Sequence, residues 1–203
     1  TIEGALEKAE RGENNAVDLV RAQDEGRQLN ATFEALLRIA QLESGARRAR
    51  FIEVSLSEVL AVLVEAYADV ASEHGQELRY RESIGSPDKV LGDRDLLTQL
   101  FANLIENAIR HATGSTRIEL AVSASPSGIE VSVRDEGPGI PAAERDKIFQ
   151  RLYRLEKSRT TPGSGLGLSL VKAIADLHGA QIRFGDRHPG LEIIVAFKPA
   201  DRG

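Results

Sequence analysis

The sequence predicts an α+β protein: a helical hairpin followed by an α/β sandwich in which helices cover one face of a mixed sheet. Two patterns support this prediction. Apolar residues recur at helical spacing between positions 29 and 40. From about position 50 onward, segments that alternate between apolar and polar residues form hairpins separated by helical segments, which favours a sheet covered on one face. We place the domain boundary so that residues 1–46 form the hairpin and residues 47–203 the second domain.

The composition narrows the possible functions. The 203 residues carry a formal net charge of -5, which argues against a surface that binds nucleic acid. The chain has no cysteine, so disulfides, thiolate metal sites and cysteine nucleophiles are excluded. No apolar run approaches the roughly 20 residues that a membrane-spanning helix needs. The chain also lacks methionine, and we expect it to be part of a longer protein.

The N-terminal hairpin carries one apolar stripe. A turn around Gly12 separates two helical segments, and the stripe on the second segment consists of Leu29, Phe33, Leu36, Leu37 and Ala40. Two helices with a single stripe cannot bury it by themselves. We expect a homodimer in which two hairpins form a four-helix bundle. A hairpin that folds back onto the second domain is the alternative.

The first half of the second domain is predicted to contain two helices that begin at side-chain caps. After a strand at 51–54, Ser55 and Glu58 fit a capping box. A strand at 78–80 follows, and Asp93 caps the next helix. The predicted buried face of this helix consists of Leu97, Leu100, Leu104 and Ala108.

The second half is predicted to contain a hairpin, two helices and two final strands. Residues 118–122 are predicted to form a strand that leads into a Ser-Pro-Ser-Gly turn, and the returning strand, 129–133, alternates cleanly. A short helix is predicted over 142–149 and a longer one over 166–177. The last two strands flank the turn at 189–190.

The helix capped by Asp93 also carries a polar stripe. Asn103, Asn107 and His111 recur every four residues, and asparagine has poor propensity in the middle of a helix, which favours a functional role. An amide oxygen is a suitable ligand for a magnesium ion whose charge is balanced by phosphates. Arg110 and His111 are placed to contact phosphate oxygens. A solvated helix face, or an amide that caps a loop, is the alternative.

Asp135 follows an alternating strand and begins the segment Asp-Glu-Gly-Pro-Gly. Gly137 and Gly139 permit tight turns and the close approach of a ligand. An aspartate that faces an apolar pocket can accept a hydrogen bond from the exocyclic amine of adenine, whereas guanine presents a carbonyl at that position. An ordinary strand-ending turn is the alternative.

A third segment, Gly163-Ser164-Gly165-Leu166-Gly167-Leu168, opens the predicted helix 166–177. Glycines before a helix expose backbone N–H groups to an anion, and the helix dipole favours negative charge. The segment therefore indicates a phosphate cradle, although it has neither the Gly-Lys-Ser/Thr of a Walker loop nor the preceding strand of a dinucleotide fingerprint. A flexible loop is the alternative.

The stretch at 150–162 lies between these two glycine-rich segments and is polar and basic. Its basic residues are Arg151, Arg154, Lys157 and Arg159. We hypothesise a mobile lid that becomes ordered over phosphates. A disordered loop is the alternative.

Taken in order, the three motifs resemble the catalytic ATP-binding domain of sensor histidine kinases, part of an ATPase group shared with DNA gyrase, mismatch-repair proteins and heat-shock chaperones. The resemblance covers about residues 51–199 and implies ATP and Mg2+ as cofactors. It implies that Asn107 is the magnesium ligand and that Asp135 recognises adenine. The expected nucleotide-binding residues are Asn103, Asn107, Arg110, His111, Asp135, Gly137, Gly139, Ile140, Tyr153, Arg154, Gly163, Ser164, Gly165, Leu166, Gly167 and Leu168.

Two further segments carry the resemblance. Residues 149–154 are similar to the family's phenylalanine box, except that Leu152 stands where the family usually has a second phenylalanine. This substitution bears on how the lid packs. Residues 190–199 resemble the family's closing, glycine-led strand.

The N-terminal hairpin resembles the end of the dimerisation and histidine-phosphotransfer domain of these kinases. Residues 1–7 look like the stretch shortly after the phosphoaccepting histidine, and His74, His111, His178 and His188 all lack its sequence context. We therefore expect the acceptor histidine to lie upstream of Thr1. The resemblance also implies a response regulator as partner, a cytoplasmic location for these residues, and a parent protein held in the bacterial inner membrane by upstream segments.

Three functions remain open at this point. The first is a phosphotransferase that moves the γ-phosphoryl group of ATP to a histidine and then to an aspartate of a response regulator. The second is a gyrase-like module that hydrolyses ATP, although such enzymes have a glutamate where this chain has Asn103. The third is a dimeric module that binds nucleotide without catalysis.

Overall fold

The computed structural model describes residues 51–81, 88–112, 117–125, 128–154, 165–185 and 189–198, with five isolated positions before residue 50. Those five positions, all helical, are Gln23, Gly26, Phe33, Leu37 and Ile39. Phe33 and Leu37 are exposed, whereas Ile39 is buried. The rest of the hairpin lies outside the described residues, so its boundary at residue 46 and its dimer interface stay predictions.

The second domain is α+β, as predicted. Two 3-10 helices, Ala142–Glu144 and Lys147–Phe149, precede the last α-helix. In chain order, the strands and α-helices of the described residues are β1 (Ile52–Ser55), α1 (Leu56–Glu73), β2 (Glu77–Arg81), β3 (Lys89–Gly92), α2 (Arg94–His111), β4 (Arg117–Ser125), β5 (Gly128–Asp135), α3 (Gly167–Leu177), β6 (Gln181–Phe184) and β7 (Leu191–Phe197).

The main sheet is mixed. Its strand order is β2-β4-β5-β7-β6, with β2 parallel to β4 and every other pair antiparallel. Alternate residues such as Leu120 and Val131 are buried in the core that the helices cover. On the other face, Arg134 bridges Glu119 and Glu192 at 3.1 and 2.7 Å. The sheet therefore has one apolar face and one charged face, which is the predicted sandwich.

The two predicted helix caps are present. The Asp93 carboxylate accepts hydrogen bonds from the N–H groups of Asp95 and Leu96 at 3.0 and 3.2 Å. The Ser55 hydroxyl accepts one from the Glu58 N–H at 3.2 Å, while the Glu58 carboxylate pairs with Arg94 at 3.2 Å. The Ser55 half of the capping box thus begins α1, and the glutamate ties α1 to the start of α2.

Helix α2 is the central helix of the domain, since it packs against both α1 and α3 and contacts strands β4 and β5. The predicted face is buried. Packing on several sides also buries residues outside that face, and they are Leu96, Phe101, Ile105 and Ile109. Because α2 lies in the middle, the side chains along it lie beside both other α-helices and two strands of the main sheet.

Two elements differ from prediction. Strand β3, only four residues long, was not predicted, and it pairs with β1 in a separate two-stranded sheet. The predicted short helix at 142–149 is two 3-10 turns, a geometry that is common in short connecting segments because a short helix gains little from its own hydrogen bonds. Ile148 is buried and anchors the second turn in the interior. No helix among the described ranges is both long and apolar enough to cross a bilayer.

Candidate functional site

The asparagine stripe of α2 faces the first turn of α3. A Cβ atom built on Gly167 would lie 3.2 Å from Asn103 Oδ1 and 3.9 Å from Asn107 Nδ2. The absence of a side chain at Gly167 therefore lets the start of α3 approach both asparagines. Asn103 donates its Nδ2 to the Gln99 carbonyl at 2.8 Å, and Asn107 Nδ2 is buried with no hydrogen-bond partner among the described residues. The first and third motifs are thus brought together.

The second motif packs against the C-terminal end of the same helix. Asp135 is buried, and its Oδ1 accepts a hydrogen bond from the Gly137 N–H at 2.8 Å. A Cβ on Gly137 would lie 2.8 Å from the Cα of Ala112, the residue that caps the end of α2. Only glycine lets the loop lie this close to the helix, so Gly137 fixes Asp135 beside the end of α2.

Two more glycines hold this loop in place. Gly139 adopts a φ of 70°, in the left-handed region that favours glycine. A Cβ there would lie 2.7 Å from the Gly190 carbonyl oxygen, and a Cβ on Gly190 would overlap the Asp135 carbonyl oxygen. The closing segment predicted at 190–199 therefore begins at a glycine that supports the loop after Asp135.

Gly165 lies beside the end of the phenylalanine-box segment. Its φ is 71°, and a Cβ on it would lie 3.0 Å from Leu152 C and from the Tyr153 carbonyl oxygen. The first residues of the predicted lid thus lie beside Gly165. Gly163, Ser164 and residues 155–162, which include most of that lid, fall outside the described residues.

Three basic residues cluster near the end of α2. Burial lowers the pKa of His111, and the nearby positive charges of Arg110 and Arg154 lower it further. Arg110 and His111 both belong to the last turn of α2, whereas Arg154 is the last residue of the phenylalanine-box segment and lies beside Gly165. The lowered pKa favours the neutral imidazole beside the two guanidinium groups. An anion that binds among the three residues is attracted by both arginines and stabilises the protonated form of His111.

The remaining predicted residues have different placements. Ile140 is partly exposed and its carbonyl accepts a long hydrogen bond, 3.4 Å, from Arg145 Nε. Tyr153 donates its hydroxyl to Glu144, so its ring is tied to the first 3-10 helix. The Leu166 side chain is buried in the core and Leu168 is partly buried against it. For Leu166, only the backbone is left to face a ligand.

One residue of this region was not predicted from the sequence. Gln76 is buried and donates its side-chain amide to the carbonyls of Ile109 and Ala112 at 3.1 and 3.3 Å. It lies between α1 and β2, where a polar residue after a glycine suggests only a helix end. The sequence offers no signal that this side chain reaches α2.

The three motifs all lie within a segment that matches a known protein family. The family model of the histidine kinase-, DNA gyrase B-, and HSP90-like ATPases matches residues 92–201. The swarming motility regulation sensor protein RssA of Serratia marcescens is 34% identical over 150 residues, which cover 73% of this chain and 31% of RssA. The sensor-like histidine kinase SenX3 of Mycobacterium tuberculosis is 30% identical over 161 residues, covering 78% of this chain and 39% of SenX3.

Among solved structures, full-length ShkA in complex with AMPPNP is similar, with a TM-score of 0.74 and 25% identity, over 89% of this chain and 39% of ShkA. The chain spans only about a third of the length of these curated relatives. The matched family covers the three motifs and the elements that hold them. The chain therefore belongs to the histidine kinase-, DNA gyrase B-, and HSP90-like ATPase family, and it corresponds to the C-terminal catalytic part of a sensor histidine kinase.

Proposed function

We propose that this chain binds ATP with magnesium and transfers the γ-phosphoryl group to a histidine of a partner helix. One observation carries the proposal: the three motifs meet along α2. Gly167 lies against Asn103 and Asn107, while Gly137 and Asp135 lie at the end of the same helix. A nucleotide is long enough to need an adenine site and a phosphate site some distance apart, and one helix supplies both.

Asp135 is the adenine-recognition residue of the proposed site. An ionised carboxylate only accepts hydrogen bonds, and the Gly137 N–H holds its Oδ1 at 2.8 Å. The exocyclic amine of adenine is a donor, so it matches a buried carboxylate. Guanine presents a carbonyl at the same position and would leave the carboxylate opposed by a second acceptor.

The phosphate side of the proposed site consists of the start of α3 and the basic cluster. Helix α3 begins without a side-chain cap among the described residues, and its free N–H groups favour an anion. Arg110 and Arg154 add positive charge, and the His111 imidazole can donate a hydrogen bond to a phosphate oxygen. When bound, magnesium neutralises charge on the triphosphate.

The residues at the metal position fit a magnesium ion held mainly by phosphates. Asn107 supplies the amide, and its Nδ2 is buried without a partner among the described residues. A buried amide with an unmet hydrogen bond is costly in an empty site. It is satisfied once a phosphate oxygen or a bound water lies next to it, while the amide oxygen is left to face the metal.

Phosphoryl transfer is favoured over hydrolysis by the placement of Glu106. Its Oε1 accepts a hydrogen bond of 2.6 Å from the Tyr67 hydroxyl on α1, and burial and this carboxylate raise the pKa of Tyr67 to about 12. Glu106 is thus engaged on the side of α2 that faces α1. Asn103 cannot accept a proton from water, so neither residue supplies the base that a hydrolase needs.

The proposed partners follow from this reaction. The acceptor histidine would lie on the helical hairpin, in the segment expected upstream of Thr1, and the phosphoryl group would pass from it to an aspartate of a response regulator. Transfer to the imidazole nitrogen breaks the bond between the γ-phosphorus and the β–γ bridging oxygen and releases ADP. We also propose a homodimer through the hairpin, and a parent protein anchored in the bacterial inner membrane with this chain on the cytoplasmic side.

Labelled ATP tests the proposal directly. The chain is incubated with γ-labelled ATP, magnesium and a separate hairpin that carries the acceptor histidine. We expect label on the hairpin and none on the chain itself. Free phosphate alone would support hydrolysis, and neither product would support a non-catalytic module. Asp135→Asn should abolish labelling, whereas Asp69→Asn, an exposed aspartate on α1, is the matched control and should label normally.

A further inference from the structure

We propose that Gln76 is a positioning residue of the nucleotide site, which holds the C-terminal end of α2 in the geometry that binds the nucleotide. The inference deepens the proposed function and rests on it. Gln76 lies outside all three motifs and outside the matched family segment, 92–201. Its side chain nevertheless reaches the helix on which those motifs meet.

The backbone of Gln76 is fixed by the end of α1. Gly75 has a φ of 72°. The N–H groups of Gly75 and Gln76 donate to the carbonyls of Ser72 and Ala71, each at 2.9 Å. This pair of bonds is a Schellman motif, which ends a helix at a defined residue. Because the backbone is held in this way, the side chain leaves the end of α1 in one direction, toward α2.

The side chain of Gln76 then caps the second helix. Its Nε2 donates to the carbonyls of Ile109 and Ala112 at 3.1 and 3.3 Å. The last carbonyls of a helix have no partner within the helix, so one amide satisfies two of them at once. Both partners are acceptors, which fixes the orientation of the amide with its nitrogen toward α2. Its Oε1 is buried without a partner among the described residues.

The capped end of α2 is the part that touches the site. Gly137 packs against Ala112, so closely that a Cβ on Gly137 would lie 2.8 Å from the Ala112 Cα. Gly137 in turn orients Asp135 through its N–H. Arg110 and His111 lie between the two carbonyls that Gln76 holds. A displacement of this end therefore moves the adenine side and the basic cluster together.

Gln76→Glu tests the inference, since it keeps the shape of the side chain and removes both N–H donors. At about pH 8 the buried carboxylate is ionised and faces two carbonyls, and we expect ATP affinity to fall about tenfold relative to wild type. At about pH 5 the protonated acid can donate to one carbonyl, and much of that loss should be recovered. Gln76→Met keeps the length without a donor and should lose affinity equally at both pH values.

Affinity is measured by calorimetry for each protein well below its own melting temperature, with wild type measured at each pH. A merely structural role would lower the melting temperature of both variants and leave their ATP affinities equal to wild type, and that result would overturn the inference. If wild type itself binds no ATP, the proposed function fails instead.

If both variants fail to fold, the inference is tested on the wild-type protein by NMR. Binding of ADP should shift the side-chain amide resonance of Gln76 in a nitrogen-edited NMR spectrum, and the resonance of the exposed Gln181 on edge strand β6 is the control. A Gln76 resonance that stays in place while ADP binds would refute the proposed role.

Discussion

The N-termini of α2 and α3 differ in how their backbone N–H groups are satisfied. At α2, the Asp93 carboxylate takes two of them, and Asp93 is itself buried. At α3, the N-cap residue is Leu166, and no side chain of the described residues caps the helix. Every helix begins with four such groups that lack an internal partner. The chain closes one helix start with its own carboxylate and leaves the other without one.

This difference separates a structural helix start from one that can serve a ligand. A second interaction holds the start of α2 in place: the Asp93 N–H donates a hydrogen bond to Nε2 of His178, the C-cap residue of α3, at 3.1 Å. The start of α3 lies instead beside Asn103 and Asn107, through Gly167. Substitutions at the two starts should therefore affect different quantities, stability at α2 and nucleotide affinity at α3.

The largest effect is expected at Gly167. Gly167→Val places branched carbons where even a Cβ lies 3.2 Å from Asn103 Oδ1, which forces the start of α3 away from the asparagines. We expect ATP affinity to fall by roughly 100-fold, equivalent to about 2.7 kcal/mol. Gly179→Ala, at the other end of α3, should cost stability through its φ of 65° and leave affinity intact. Similar affinities for the two variants would show that the start of α3 does not contact the nucleotide.

A smaller effect is expected at Asn107. Asn107→Ala removes the amide while the start of α3 stays in place, so magnesium should no longer tighten ATP binding, a loss of about tenfold. The measurement is ATP affinity with magnesium and with a chelator. Asn103→Ala is the comparison, since its Nδ2 is already bonded to the Gln99 carbonyl. A normal magnesium effect in Asn107→Ala would remove Asn107 from the metal site.

Asp93→Ala should change stability alone. Loss of an N-cap costs about 1 kcal/mol, measured as the free energy of unfolding in urea. Affinity for ATP should stay at the wild-type value. Asp95→Ala, an exposed residue in the same first turn, is the control and should cost less. If Asp93→Ala weakens ATP binding as much as Gly167→Val does, the two helix starts do not have separate roles.

The smallest effect concerns pH. Burial lowers the pKa of His178, although its bond to Ile174 and the charge of Asp93 oppose the shift. The unfolded chain therefore binds a proton first, and the free energy of unfolding should decrease as pH falls below about 6.5, the unperturbed histidine value. The urea midpoint from pH 7 downward measures this slope. His178→Phe should flatten it, and His74→Gln, at the exposed C-cap of α1, is the control for loss of a histidine.

Local features were predictable because they depend on neighbours in the sequence. Ser55 and Asp93 begin helices as expected, and β4 and β5 form the predicted antiparallel hairpin. Strand β3 was missed because four residues carry too little pattern, and its pairing with β1 crosses the whole of α1. The 3-10 turns at 142–149 were taken for a helix because their apolar spacing does not distinguish the two.

The candidate site residues were proposed from their type and order, whereas their arrangement in space was not predicted. Asn103 and Asn107 were seen to share a helix stripe, and Asp135 to end a strand. That Gly167 lies on the asparagines, and that Gly137 lies on Ala112, depends on contacts between residues far apart in the chain. Gln76 shows the limit most clearly, since nothing near it in the sequence indicates that it caps α2.

The sequence by itself determined the helix starts and the buried faces, because propensity, capping and periodicity act over a few residues. It also supplied the candidate polar and glycine residues of the site, through their resemblance to the motifs of the family. Only the tertiary structure decided that β2 runs parallel to β4, that α2 is the central helix, and that the start of α3 lies against its asparagines. The physical reason is that close approach of backbones is permitted by a glycine but is selected by the packing of the whole core.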